Sequence, residues 1–470
     1  MVNIIRSLFG LSPALGKEAP PARGTDPYRN WRTREVAAIR QCTSVPDLAA
    51  RIDDYDGYLR EAAIARAVEW GAPELLPAIA ARLNDWVPQV RRAAKNGLLT
   101  LVPTMPATAL LAQLPAIDRL LHAQRDDHSE WLGRFEDTLL AATGPQAIVD
   151  GIRSQEIRLA RACFRIARQH RLVPPAAIIE DALHSKDIRI AIDAAAMVAG
   201  LPEEEQHALY LAALASPFGA VRTLALRGLL ALASCDHAAL ARSCLLDPQS
   251  SVRALAAHYL KGHGDDPDAF YVERLRSPQA GADEVRICLL ALAAGGKAGH
   301  AAWMERHAAS PAPRIRMAAL MGWVRLDPAR KDDIAVLALR DPVARVRKLA
   351  LTLIRDFNAY VTAADAVALA QSHRDYRLML RLARQDPWAW IDTIACLALQ
   401  PEAVAGMRDV LADELDAWGW RSAGIYVAPK AQQIALLTDP DARADLKAIF
   451  PRFERVFSII DGVMESSGRA

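Results

Sequence analysis

At 470 residues and a formal net charge of +2, the chain has the length of roughly two or three globular domains and lacks the basic excess of a dedicated nucleic-acid binder. Its six cysteines, Cys42, Cys163, Cys235, Cys244, Cys288 and Cys396, are dispersed without a CxxC pair, which excludes a disulfide framework or a zinc ribbon and fits a reducing cytoplasm. No apolar run is long enough to span a membrane.

Residues 1–11 form a short apolar segment carrying Ile4, Ile5, Leu8, Phe9 and Leu11, and residues 12–27, with Pro13, Pro20, Pro21 and Pro27, read as a linker. Arg6 interrupts the apolar start and no A-x-A site follows, so the segment reads as a frayed terminus or cap over the first repeat, with a docking peptide or weak membrane anchor as the functional alternative, rather than as a signal peptide. Residues 28–100 predict an entry helix and two helix pairs. Within them Asp53, Asp54, Asp56 and Gly57 imitate the start of a calcium loop, but the later ligands are missing and a helix-capping turn is expected. Residues 101–143 are irregular, broken by Pro103, Pro106 and Pro115. There His122, Asp126, Asp127 and His128 read as a solvated loop rather than a metal site. Residues 144–385 hold the most regular pattern. Cys235, His237 and Cys244 lack a fourth ligand, and His300, Trp303 and His307 share one helical face. Residues 386–470 depart from the pattern. Trp388, Trp390, Trp418 and Trp420 come first, residues 422–430 break the helices, and Phe450, Phe453, Phe457 and Ile460 then line one helical stripe, expected to cap the array.

The regular pattern is a repeat. An aliphatic residue followed by Arg recurs with Arg60, Arg91, Arg158, Arg189, Arg222, Arg253, Arg286, Arg316 and Arg347, at intervals of 30 to 33 residues and one of 67. Tyr376-Arg377 and Met407-Arg408 are looser copies, and one copy near Trp131-Leu132 has drifted. A fixed period in this range marks a stacked solenoid. Val221, Leu224, Ala225, Gly228 and Leu229 have the spacing of one helical face, and Gly97, Gly228 and Gly322 stand at one shared position, which predicts a close helix contact there. Six residues before the Arg stands Asp54, Asp85, Ser216, Asp247, Ser310 or Asp341, four of them followed by Pro, which predicts an N-cap and a first helical residue.

Two helices per period with a D-P-x-x-x-V-R-x-x-A turn resemble HEAT repeats over roughly residues 45–420, and the short period is similar to that of bilin-lyase-type repeats. The resemblance implies an all-α α-solenoid, a right-handed superhelix of antiparallel helix pairs of the HEAT-like or armadillo-like kind. It also implies that the Arg row is a structural ladder bonding to the turns of neighbouring repeats. The expected organisation is a 1–27 leader, a 28–420 array of about twelve repeats and a 421–470 helical cap.

No P-loop, GxGxxG, GxSxG, HExxH or paired CxxC occurs, so no catalytic residue, metal or cofactor is assigned. The expectation is a cytoplasmic, non-enzymatic scaffold or adaptor that holds a protein partner on its concave face. Second-helix residues outside the core pattern, Arg92, Lys95, Arg227, His258, Lys261, Lys348 and Arg355, are the candidates for that contact. Two alternatives stand beside it. The same residues, converging, make a phosphate track for nucleic acid, with Trp303, Trp323 and Asp327 as a glycosylase-like set. The other is a lyase-type enzyme, for which the sequence names no acid and base.

Overall fold

The computed structural model describes residues 27–233, 236–422, 425 and 427–467; the apolar segment 1–11, the linker up to residue 26 and Cys235 lie outside them. Every regular element among the described residues is helical. The helices fall into two compact units, divided in sequence between residues 235 and 236.

In the first unit, an entry helix Pro27–Arg40 packs on the pair Val45–Ile52 and Gly57–Trp70. The pairs that follow end in the second helices Pro88–Leu101, Ser129–Thr143, Ile157–Gln169, Ile188–Met197 and Gly219–Leu229. In the second unit, the second helices are Ser250–Gly262, Ala282–Gly295, Pro313–Leu326, the broken helix Ala344–Arg347 and Leu349–Phe357, then Tyr376–Ala383 and Pro401–Arg421. Each second helix hairpins back on its first helix, and successive pairs stack side by side, which is the α-solenoid arrangement. The prolines at 103, 106 and 115 divide the first-helix layer between residues 102 and 122 into short pieces, since proline removes a ladder N–H and crowds the preceding turn.

The core follows the repeat. Leu59, Val90, Val221, Val252 and Val346 are completely buried, and so are the alanines one turn on, Ala63, Ala94, Ala225, Ala256 and Ala350. The shared glycines sit where helices touch. A Cβ on Gly97 meets Val68 Cγ2 at 2.6 Å, one on Gly228 meets the Tyr210 ring at 2.2 Å, and one on Gly322 meets Met304 Sδ at 2.6 Å. Close approach compensates the roughly 1 kcal/mol that a helix-interior glycine costs.

The turn chemistry differs from the expected cap. Asp54, Asp85, Ser216, Asp247, Ser310 and Asp341 each accept the backbone N–H two residues on, at Asp56, Val87, Phe218, Gln249, Ala312 and Val343. Those second residues are the N-caps, so the Asp or Ser builds a turn ahead of the helix, and Pro217, Pro248, Pro311 and Pro342 lie in that turn rather than at the first helical position. A side-chain oxygen bonding its own backbone two residues on is the cheapest way to reverse the chain between antiparallel helices.

Beyond the repeats, Ala431–Thr438 packs on the first helix of the last pair, Pro387–Ala398, and Pro440–Ile449 and Phe453–Ser467 follow. Trp388 Nε1 donates to the Val427 carbonyl at 2.7 Å and Gln433 Nε2 to Asp386 at 2.8 Å, tying this end to the array. Phe453 and Ile460 are fully buried, and Phe457 stacks on Phe453.

Candidate functional site

The Arg row divides into two sets. Arg60, Arg222, Arg253, Arg316 and Arg347 each point Nη1 at two carbonyls of their own turn, five and six residues back, at 2.7 to 3.1 Å. Arg91 reaches one such carbonyl, that of Asp85, at 2.8 Å. Arg60, Arg91, Arg316 and Arg347 also cross to the next repeat, to Asp85, Asp126, Asp341 and Asp375. The inter-repeat bond is thus a second contact added to a bond within the turn. Burial raises the Asp341 carboxyl, but the Arg316 guanidinium and the Val343 N–H outweigh it and hold the group below its ordinary value.

Arg158, Arg189 and Arg286 make no such turn bonds among the described residues, and the reason is register. The second helices of those repeats begin at Ile157, Ile188 and Ala282, which places the three arginines at the second, second and fifth helical positions instead of the fourth. Ile157 and Ile188 are accordingly 46% and 47% exposed, and Ala160 and Ala191 take the buried fourth position. In the first of these repeats Arg161 supplies the inter-repeat bond instead, donating Nε to Asp187 at 2.7 Å.

The seven residues singled out as a partner face are divided between the two units. Arg92, Lys95 and Arg227 belong to the first unit, and His258, Lys261, Lys348 and Arg355 to the second. Lys95 bonds Asp126 at 3.1 Å, Lys261 lies 4.0 Å from Asp268, and Arg355 pairs with its neighbour Asp356. Arg92, Arg227, His258 and Lys348 are exposed. Trp303 and Trp323 offer no open ring: Arg276 and Arg306 lie over Trp303, and Trp323 is buried beneath Arg330.

The structure brings other residues together. In the second unit, the helices Ala282–Gly295 and Pro313–Leu326 lie side by side, and between them and Ala344–Arg347 runs an open groove of about 390 Å³. Leu290, Met317, Ala318 and Met321 line its apolar floor, and Arg286, Arg314 and Arg345 line its edge. Arg314 and Arg345 are exposed and bonded to no carboxylate among the described residues. The nearby acid is Asp283, 77% exposed at its side chain and 3.6 Å from Arg286. Arg314 also stands in the first turn of its helix, where unpaired N–H groups add positive potential.

A comparable groove of about 490 Å³ in the first unit is lined by Phe164, Arg161, Arg165, Arg168 and Arg189. Its charge is spent internally only in part, since Arg168 and Arg189 are exposed and bonded to no carboxylate among the described residues. Arg161 is held by Asp187, Arg165 by Asp118 and Glu136, and Arg168 lies over Phe164. Burial lowers the Arg165 affinity for its proton, yet the bonds to Glu136 and Asp118 raise it overall, as a satisfied structural ion cluster requires.

Sequence reasoning missed Arg314 and Arg345, yet a signal was present. Both precede a ladder arginine by two residues, in Arg314-Ile315-Arg316 and Arg345-Val346-Arg347. The second arginine turns into the repeat junction, and the first is left facing out. Among the described residues, no group of three His, Cys, Asp or Glu side chains is placed to hold a metal, and no helix is long and apolar enough to cross a membrane.

No protein-family model matches the chain, and no curated protein matches it either. Among solved structures it is similar to the karyopherin Kap121p. Against Kap121p bound to Pho4p the TM-score is 0.30 with 12% identity over 91% of this chain and 60% of the other. For Kap121p alone the TM-score is 0.24 with 11% identity over 90% of this chain, and for Kap121p bound to the extreme C-terminus of Cdc14p it is 0.22 with 12% identity over 92%. The chain spans 47% of the length of each of these last two.

Proposed function

We propose that the protein is a non-enzymatic scaffold whose second unit holds an acidic, amphipathic segment of a protein partner in the groove between Ala282–Gly295 and Pro313–Leu326. The supporting observation is an apolar methionine floor bordered by exposed arginines that have no internal carboxylate to satisfy them. Methionine side chains adapt to varied apolar contacts, and guanidinium groups bond carboxylates in pairs. An extended segment alternating acidic and aliphatic residues satisfies both.

The floor also argues against nucleic acid. A single strand needs exposed aromatic rings for its bases, and this groove has none. The test is fluorescence anisotropy with a labelled peptide rich in Glu and Leu and with a single-stranded oligonucleotide, against the full chain and its R314E/R345E form. Both substituted residues are exposed, so circular dichroism should be unchanged. Peptide binding should weaken roughly tenfold or more, since two reversed surface charges together shift binding by about 1.4 kcal/mol or more. Tighter binding of the oligonucleotide than of the peptide at equal ionic strength would favour the phosphate-track reading. Unchanged peptide affinity in the double variant would reject the groove.

A further inference from the structure

The largest cavity described here lies elsewhere in the second unit. It measures about 900 Å³ and opens between the helices Ala363–Gln371, Pro387–Ala398 and Ala431–Thr438. Val361, Val367, Met379, Leu399 and Leu436 give it apolar walls, and Tyr360, 73% exposed, stands among its lining residues. Four glutamine amides, from Gln371, Gln385, Gln400 and Gln433, interrupt those walls. This volume falls in the range of small-molecule sites, which are mostly apolar with a few placed polar groups.

Two carboxylates line the cavity, and only one is satisfied. Asp386 caps its helix, accepting the N–H groups of Trp388 and Ala389, and takes Gln433 Nε2 at 2.8 Å. Asp392 has the Cys396 thiol one turn on, 4.0 Å away, and no cation or amide bond among the described residues. The other titratable groups lining the cavity are Tyr360 and Lys430, and neither is within bonding reach of Asp392. The three wall helices carry one further charged residue, Asp365, which accepts from Thr362.

We infer that this cavity binds a small organic cation, an alkylammonium group on an apolar body, with Asp392 as its counter-ion. The unpaired carboxylate beside apolar walls supplies charge where a ligand's ammonium is missing, and the glutamine amides suit a polar substituent on the ligand. Burial alone pushes the Asp392 carboxyl up to about 6. A bound cation therefore favours the ionised form, and binding is linked to proton release below that value.

The probe is phenethylamine, with neutral 2-phenylethanol as its control, added to the full chain. Two readouts serve: calorimetry, and protection of the half-buried Cys396 from maleimide, followed by peptide-resolved mass spectrometry. Phenethylamine should bind and protect Cys396, and 2-phenylethanol should do neither. Affinity should rise by up to about tenfold per pH unit from pH ~5 to ~6, then level off. Asp392→Asn should abolish amine binding while Cys396 stays reactive, showing that the cavity persists. Ala389→Phe, which fills the cavity and keeps Asp392, should abolish binding too and covers the case in which the first variant fails to fold. Equal binding of amine and alcohol, unchanged binding in Asp392→Asn, or no binding of phenethylamine would each overturn the assignment.

Discussion

Replacing Arg253 by Ala tests the turn bonds most cleanly, because among the described residues Arg253 has no carboxylate partner to complicate the reading. The residue is 7% exposed, and its guanidinium donates to the carbonyls of Asp247 and Pro248 at 2.7 and 2.9 Å. Burial lowers the proton affinity of this group, so part of the bond energy offsets its own desolvation. A charge-assisted bond contributes about 1.5 to 3 kcal/mol, and the orphaned carbonyls add to the loss. The net destabilisation should be about 2 to 3 kcal/mol. Arg158, the same residue type after the same kind of aliphatic neighbour, is exposed and off register, so Arg158→Ala should cost about 0.5 kcal/mol or less. Arg316→Ala should exceed both, at about 3 to 5 kcal/mol, because it also strands the buried Asp341 carboxylate. Urea titration followed by far-UV circular dichroism measures all three, and amide hydrogen exchange near residues 247–253 localises the first. Equal loss from Arg253→Ala and Arg158→Ala would refute the register argument.

Gly228→Ala should destabilise the first unit by about 1 to 3 kcal/mol, since its Cβ would lie 2.2 Å from a ring atom of buried Tyr210, whereas Gly406→Ala, with open space around it, should not; thermal melts decide. Removal of residues 431–470 should uncover the face of Pro387–Ala398 on which Ala431–Thr438 packs and cause aggregation, read by light scattering; a soluble, fully helical product would contradict the capping role. His128 is 2% exposed, and burial, aided by Lys95, holds its imidazole below the ordinary value of 6.5. Its neutral form is favoured in the folded state, so the stability it contributes is present above pH 6.5 and declines as pH falls below that value. His128→Leu should flatten this part of the pH profile in urea melts, and an unchanged slope would contradict it.

The helix pairs were legible because their cause is local. Val221, Leu224 and Ala225 mark a buried face by spacing alone, and Gly228 marks the contact that only a glycine admits. Register was less legible. Ile157-Arg158 and Val252-Arg253 look alike in sequence, but one helix begins at Ile157 and the other at Ser250, and two residues of slip turn a buried pair into an exposed one. The Asp-Pro turns were misread for a related reason: Asp behaves alike as a cap and as the start of a turn, and only the backbone distinguishes them. The groove was invisible because it depends on which charges find internal partners. Lys95, Lys261 and Arg355 find carboxylates, while Arg314 and Arg345 do not; the Arg-x-Arg spacing marks those two as facing out but not as lacking a carboxylate.

Selection of a random peptide library on the full chain, run in parallel on the R314E/R345E form, tests the proposed partner chemistry without presupposing a ligand. The groove account predicts enrichment of sequences that combine Asp or Glu with Leu, Ile or Met, and loss of that enrichment on the double variant. Enrichment of basic or uncharged sequences, or the same acidic sequences on both forms, would contradict it.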